Sequence, residues 1–82
     1  MYVHLGDDVM IRSSEIITIL DKQTVMDSKE MQQLLERKES ELVNISNGTF
    51  KSLVITPTHM YISPIAIATL KKKALNGVPM NG

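Results

Sequence analysis

The stretch LVNISNGTFKSLVITPTHMYIS, residues 42–63, decides the fold class of this chain. It holds three short runs rich in β-branched residues and separated by turn residues, which is the pattern of β-strands: residues 42–46, 49–56 and 59–63. The first two runs are joined by Asn47-Gly48, the dipeptide typical of a type I′ turn, because that turn needs a positive φ at both positions. The segment therefore predicts antiparallel strands, including a β-hairpin with Asn47-Gly48 at its tip.

The first twenty residues predict more strands of the same kind. Residues 2–5 and 9–11 are short apolar or alternating runs on either side of the turn residues Gly6-Asp7-Asp8, and we expect them to form the two arms of a hairpin. Residues 15–20 are dominated by isoleucine and threonine and predict a buried strand.

Two helices are predicted around these strands. The central helix begins after Asp27 as its N-cap, with Glu30 three residues later as in a capping box. Its apolar positions recur on one helix face: Met31, Leu34, Leu35 and Leu42. The second helix begins at Pro64, with Ser63 as its N-cap, and ends at Asn76-Gly77.

The order of these elements is typical of an α+β fold, here a small mostly antiparallel sheet with a central helix and a C-terminal helix. With 82 residues the chain is one domain, which we place at residues 1–77, and we expect residues 78–82 to be a flexible tail. The predicted sheet has more apolar positions than two short helices can cover. We therefore also expect the chain to self-associate.

Charge is balanced overall but uneven along the chain. Nine basic and nine acidic side chains give a formal net charge of zero. All nine acids and five of the bases lie in residues 1–41, which carry a net −4, whereas residues 42–82 carry four lysines and no acid. Such asymmetry indicates a polyanionic partner or head-to-tail self-association, and it is equally explained by two halves that fold against one another.

No catalytic, metal or cofactor site is recognisable. The chain has no cysteine, which excludes disulfides and thiolate zinc sites. The four glycines form no phosphate-binding loop, and the surroundings of His4 and His59 show no metal-ligand spacing. We therefore expect no enzyme activity and no cofactor. The N-terminus lacks signal-peptide features and no apolar run could span a bilayer, so we expect a cytoplasmic protein with no membrane partner.

Two lysine-bearing features are candidates for binding. Three consecutive lysines lie near the end of the predicted second helix, where they can pair with phosphates or simply stabilise the helix end: Lys71, Lys72 and Lys73. The predicted hairpin tip carries Thr49, Phe50 and Lys51. A β-ribbon of this kind can enter a DNA groove, with lysine on phosphate and small polar side chains on base edges. Phe50 can instead pack beneath the turn, which is the commoner outcome for an isolated aromatic side chain.

Three stretches resemble a known family: YVHLGDDVMI (residues 2–11), NGTFKSLVIT (residues 47–56) and MYISPIAIATLKKKA (residues 60–74). They are similar to the RemB-type members of the Rem family of extracellular matrix regulatory proteins of bacterial biofilms. The resemblance implies a cytoplasmic DNA-binding regulator that acts on transcription of matrix genes, with a subunit similar to the LytTR DNA-binding domain. It also implies a homo-oligomer, since the related RemA-type members form closed rings that bind duplex DNA around the outside.

The DNA-binding arginines that the resemblance implies are not all present in this chain. The early arginine of the family falls on or beside Glu15, with Arg12 the nearest base, and the basic cluster of the central hairpin is replaced by residues 48–50. The candidate nucleic-acid-binding residues are Arg12, Thr49, Lys51, Lys71, Lys72 and Lys73. The resemblance favours a DNA-binding homo-oligomer. The alternative is a protein-interaction module that assembles with partners and does not itself contact DNA.

Overall fold

The computed structural model describes residues 2–74 and 80–81. These residues form seven strands: β1 Tyr2–Gly6, β2 Val9–Arg12, β3 Thr18–Asp21, β4 Leu42–Asn44, β5 Ser52–Ile55, β6 Met60–Ser63 and β7 Met80–Asn81. They also form three α-helices: α1 Lys22–Met26, α2 Lys29–Arg37 and α3 Ile67–Ala74. Two 3-10 turns, Ser13–Glu15 and Glu39–Glu41, precede β3 and β4. The α+β class predicted from the sequence is confirmed.

The strands are arranged in two sheets. β1 and β2 form the predicted antiparallel hairpin, and its turn places Gly6 at φ 140° and Asp7 at φ 47°. The second sheet has the strand order β4-β6-β5-β3-β7. Its centre is antiparallel, β6 against β5 and β5 against β3, as expected. The two edge strands, β4 and β7, pair in parallel with their neighbours, which the sequence pattern did not predict.

The chain itself covers both faces of the five-stranded sheet. On one face the β1-β2 hairpin and α3 enclose a core whose fully buried members are Val3, Leu5, Ile19, Val54 and Leu70. On the other face, a second core contains Leu20, Val25, Leu53 and Met60, with side chains of α1 and α2 packed on it. Successive strand residues point to opposite faces, so neighbouring positions of β5 contribute to different cores.

The Asn47-Gly48 turn forms, but the predicted hairpin around it is wrong. Asn47 and Gly48 have φ 52° and 87°, and the Thr49 N–H donates to the Ser46 carbonyl at 3.0 Å. β4 nevertheless pairs with β6, which lies between β4 and β5. β4 ends early because the Asn44 side-chain oxygen accepts from the N–H and the hydroxyl of Ser46, at 3.0 and 2.6 Å. The chain then passes the end of β6 and enters β5, which lies on the side of β6 away from β4.

A short helix that the sequence pattern did not predict, α1, begins directly after β3. The Asp21 carboxylate accepts the Thr24 N–H at 2.7 Å and caps the first turn. Hydrogen bonds from the side chain and then the backbone of Thr24 hold the pKa of the Asp21 carboxyl below its usual value. Five residues are too few for apolar periodicity to reveal a helix.

Acid is expected to weaken this cap. The folded-state pKa of Asp21 lies below the unfolded value of 3.8, so the carboxylate stabilises the fold above that pH, and this contribution is lost as the pH falls through the lowered pKa. In Asp21→Asn the amide oxygen still caps the helix but does not titrate, so this part of the acid sensitivity should disappear. Urea unfolding of both proteins at neutral pH and in acid measures the difference. Equal losses of stability in acid would contradict the assignment.

The central helix, α2, begins and ends at different residues than predicted. Its N-cap is Ser28, whose hydroxyl accepts the Met31 N–H at 3.2 Å, whereas Asp27 is the C-cap of α1. Both residue types cap helices well, and only the presence of α1 decides between them. α2 ends at Arg37, so Leu42 lies in β4 and not on the apolar face of the helix.

The C-terminal helix, α3, begins at Ile67 rather than at Pro64. Ser63 is not its N-cap but the last residue of β6, where its buried hydroxyl donates to the Leu5 carbonyl and accepts the Ile65 N–H at 3.1 Å. The hydroxyl therefore joins β6 to β1 instead of capping a helix.

Three other predicted boundaries are those of a strand, a helix end and the tail. The strand expected at residues 15–20 is shortened to β3, because Ser13–Glu15 forms a 3-10 turn in which the Ser13 carbonyl accepts the Ile16 N–H at 3.2 Å. The predicted helix stop at Asn76-Gly77 lies outside the described residues. Of the tail predicted at residues 78–82, the structure describes Met80–Asn81, which pairs with β3 as strand β7.

Candidate nucleic-acid interface

Thr49 and Lys51 are exposed in the segment that enters β5, and we refer to these two residues as the turn surface. Phe50 between them is half-buried and packs against the core beneath α1, so it anchors the segment. The backbone of Lys51 is fixed on both sides: its N–H donates to the Ser63 carbonyl at 2.9 Å, and its carbonyl accepts the Lys22 N–H at 3.0 Å. Its side chain therefore extends from a rigid sheet end and not from a projecting hairpin tip.

A lysine that the sequence analysis missed, Lys22, lies beside the turn surface. β3 and β5 are antiparallel with Asp21 opposite Ser52, and the hydrogen bond from Lys22 to Lys51 continues this register by one residue. Both lysine side chains are exposed. No sequence signal indicates their proximity, because α1, α2 and β4 separate them along the chain.

An acidic turn borders the turn surface on its other side. The side-chain amide of Asn47 donates to the Asp7 carboxylate at 3.3 Å, and the next residue, Asp8, is also exposed. These carboxylates repel a phosphate that approaches from the β1-β2 hairpin. A polyanion that contacts the turn surface is therefore expected to approach it from the side of Lys22.

Arg12 lies apart from the turn surface. It is exposed at the open end of the β1-β2 hairpin, opposite Tyr2, whereas the closed end of the hairpin is the one hydrogen-bonded to Asn47. At about 3.3 Å per strand residue, the two ends are roughly 13 Å apart. Glu15, where the family resemblance implies an arginine, is exposed in the 3-10 turn before β3. The structure does not bring Arg12 and the turn surface into one site.

Lys71 and Lys72 are exposed on α3, and we refer to them as the helix surface. Leu70, the residue before them, is fully buried in the core beneath the β1-β2 hairpin. The side chain of Lys73, the third predicted lysine, lies outside the described part of the structure. The helix surface and the turn surface therefore belong to different elements, and each is a separate candidate.

Two large apolar side chains are exposed on the outer side of the β1-β2 hairpin. Tyr2 is 58% exposed and Met10 is 56% exposed, whereas the residues that alternate with them face the core. We refer to Tyr2, His4, Met10 and Arg12 as the hairpin face. Self-association was predicted from an uncovered sheet, and that premise is wrong because both faces of the five-stranded sheet are covered. An apolar surface available for association is found on the hairpin face instead.

Metal-binding groups and membrane-spanning helices are absent from the described residues. Among the described residues, no group of three histidine, aspartate or glutamate side chains is placed to hold a metal ion. No helix within residues 2–74 and 80–81 is long and apolar enough to cross a membrane. The exposed lysines carry ammonium groups, which are point charges that attract phosphates or carboxylates.

Comparison with known proteins identifies relatives that match most of this chain. A family model described as RemA-like, extracellular matrix regulatory protein A-like, matches residues 2–74. The chain is also similar to extracellular matrix regulatory protein B of Bacillus subtilis (strain 168), with 39% identity over 74 residues, which is 90% of each chain. The matched residues run from β1 through α3. The resemblance noted in the sequence is confirmed.

Proposed function

This chain belongs to the RemA-like family of extracellular matrix regulatory proteins, and from that membership we propose that it regulates genes of the biofilm extracellular matrix. It acts in the cytoplasm as a homo-oligomer that binds double-stranded DNA. The observation that supports DNA binding is the turn surface, where the exposed Lys51 is held at a rigid sheet end by backbone hydrogen bonds to Ser63 of β6 and to Lys22, the first residue of α1. A fixed, exposed cation of this kind suits a phosphate backbone.

Binding through this surface is dominated by phosphate contacts. Lysine lacks the planar pair of donors with which arginine reads guanine, and the turn surface contains no arginine. One subunit therefore binds weakly and with little sequence preference. Strong binding requires several subunits to engage one duplex, which a closed ring or a similar array of identical subunits provides.

Salt dependence tests this function directly. We expect fluorescence anisotropy with a long labelled duplex to show a slope of about −0.9 in log K against log salt for each neutralised phosphate. Binding should be strong at low salt and largely lost at high salt. No binding at low salt, or binding that is unchanged at high salt, would contradict the proposed function.

The hairpin face supports a second candidate function, that of a protein-interaction module which assembles with partners without contacting DNA. Its two exposed apolar side chains, Tyr2 and Met10, lie opposite Arg12 and His4 on the paired strands. Apolar side chains surrounded by polar ones are typical of interaction surfaces. A chain that self-associates but does not bind DNA at low salt would favour this second function.

Self-association is expected to depend on the hairpin face. Light scattering at micromolar concentration should give a mass several times that of the 9.2 kDa chain. Met10→Glu places a charge on the apolar hairpin face and should reduce the mass to that of one chain. Met26→Glu is the matched control, because Met26 is 54% exposed but lies on α1, in the opposite layer. A monomeric parent chain would refute self-association, and an unchanged mass in Met10→Glu would exclude the hairpin face.

A further inference from the structure

We propose that Lys22 is a DNA-phosphate contact that acts together with Lys51, so that the two lysines form a clamp on the phosphate backbone. The inference rests on the proposed function. It adds to that function a residue on α1 that neither the apolar pattern nor the family resemblance indicates.

The backbone fixes the spacing of the two lysines. Leu20 and Asp21 of β3 lie opposite Leu53 and Ser52 of β5, and the 3.0 Å hydrogen bond from the Lys22 N–H to the Lys51 carbonyl continues this ladder. This hydrogen bond joins the first residue of α1 directly to the residue that precedes β5. The two exposed side chains therefore begin side by side.

Within residues 2–74 and 80–81, no carboxylate forms an ion pair with either lysine. In the part of the chain that the structure describes, the one ion pair joins Lys38 to Glu41, at 4.0 Å. Asp21, the acid next to Lys22, is engaged in capping α1 through the Thr24 N–H at 2.7 Å. Two ammonium groups held near one another repel, so their proximity is unfavourable for the fold alone. A bound phosphate removes this repulsion.

The chemistry of the pair matches the duplex backbone. Double-stranded DNA carries one negative charge per roughly 1.7 Å of helix axis, so two adjacent ammonium groups meet phosphates in almost any register. The acidic turn at Asp7 and Asp8 lies on the other side of the turn surface, which leaves the Lys22 side open to a polyanion. Each engaged subunit then neutralises two phosphates, where Lys51 alone would neutralise one.

The test compares three single neutral variants, Lys22→Gln, Lys51→Gln and Lys29→Gln, with the parent chain. Lys29 is the matched control, because it is also exposed and is the first residue of a helix but is not hydrogen-bonded to Lys51. Anisotropy with the long duplex is measured over a series of salt concentrations, and thermal unfolding of each variant reports the fold.

We expect Lys22→Gln and Lys51→Gln each to weaken binding several-fold and to make the salt slope shallower by about 0.9 per engaged subunit. Lys29→Gln should bind as the parent does, and Lys22→Gln should melt no lower than Lys29→Gln. If Lys22→Gln binds like Lys29→Gln while Lys51→Gln is weaker, the clamp is refuted and the proposed function stands. Equal weakening in all three variants also refutes the clamp, since net charge then explains the effect. If the parent does not bind DNA at low salt, the proposed function fails and the clamp with it.

Discussion

Gly6→Ala is expected to lower the free energy of unfolding by about 3 kcal/mol. Gly6 has φ 140°, and a Cβ added there would lie 2.8 Å from Cδ and 3.2 Å from Cγ of Pro64. The Pro64 ring cannot easily withdraw, because Ser63 before it is hydrogen-bonded to the Leu5 carbonyl. A domain of this length has a total stability of about 4–12 kcal/mol, so the variant should lose a large fraction of it.

Gly48→Ala is the matched control for this prediction. Gly48 also has a positive φ, 87°, but nothing lies within 4 Å of an added Cβ. We expect the variant to lose only the energy of the left-handed conformation, about 1 kcal/mol. Urea unfolding of the parent and the two variants measures both effects. Equal losses of stability in the two variants would mean that the close approach of Gly6 to Pro64 does not determine which residues position 6 tolerates.

Lys51→Glu is expected to weaken binding to duplex DNA by about tenfold or more, and by more than Lys72→Glu does. Lys51 extends from a sheet end that backbone hydrogen bonds hold in place, and in an oligomer every engaged subunit loses an attraction and gains a repulsion. Lys72 lies in the last turn of α3, where a cation stabilises the helix end without any partner.

The comparison is made at one salt concentration with oligomers of equal mass, checked by light scattering, and with the fold checked by circular dichroism. Parent-like binding of Lys51→Glu together with impaired binding of Lys72→Glu would assign DNA binding to the helix surface. If neither variant changes binding, the protein-interaction function is favoured over DNA binding.

Local features of the fold could be predicted from the sequence. The β1-β2 hairpin forms across the predicted turn at residues 6–8. The β5-β6 hairpin forms across Pro57-Thr58, with the Thr56 N–H donating to the His59 carbonyl at 2.9 Å. In both, the paired strands are adjacent in the chain and the turn residues fix their direction. Asn47-Gly48 shows the limit of this reasoning, since its turn was predicted correctly and its strand pairing was not.

The exposure of individual residues in the candidate site could also be predicted. The exposure of Thr49 and Lys51 and the packing of Phe50 agree with what residue chemistry alone suggests. The oppositely charged halves of the chain are folded together, because β3 of the first half pairs with β5 and β7 of the second half. Their charge asymmetry therefore does not by itself indicate a partner.

The sequence by itself determined the α+β class, the two local hairpins, the turn conformation at Asn47-Gly48 and the family. Only the tertiary structure decided that β6 separates β4 from β5, that Gly6 lies against Pro64 and that Lys22 lies beside Lys51. The physical reason is that turn chemistry acts over a few residues. The order of strands in a sheet depends instead on which arrangement buries both apolar faces, and that is a property of the whole chain.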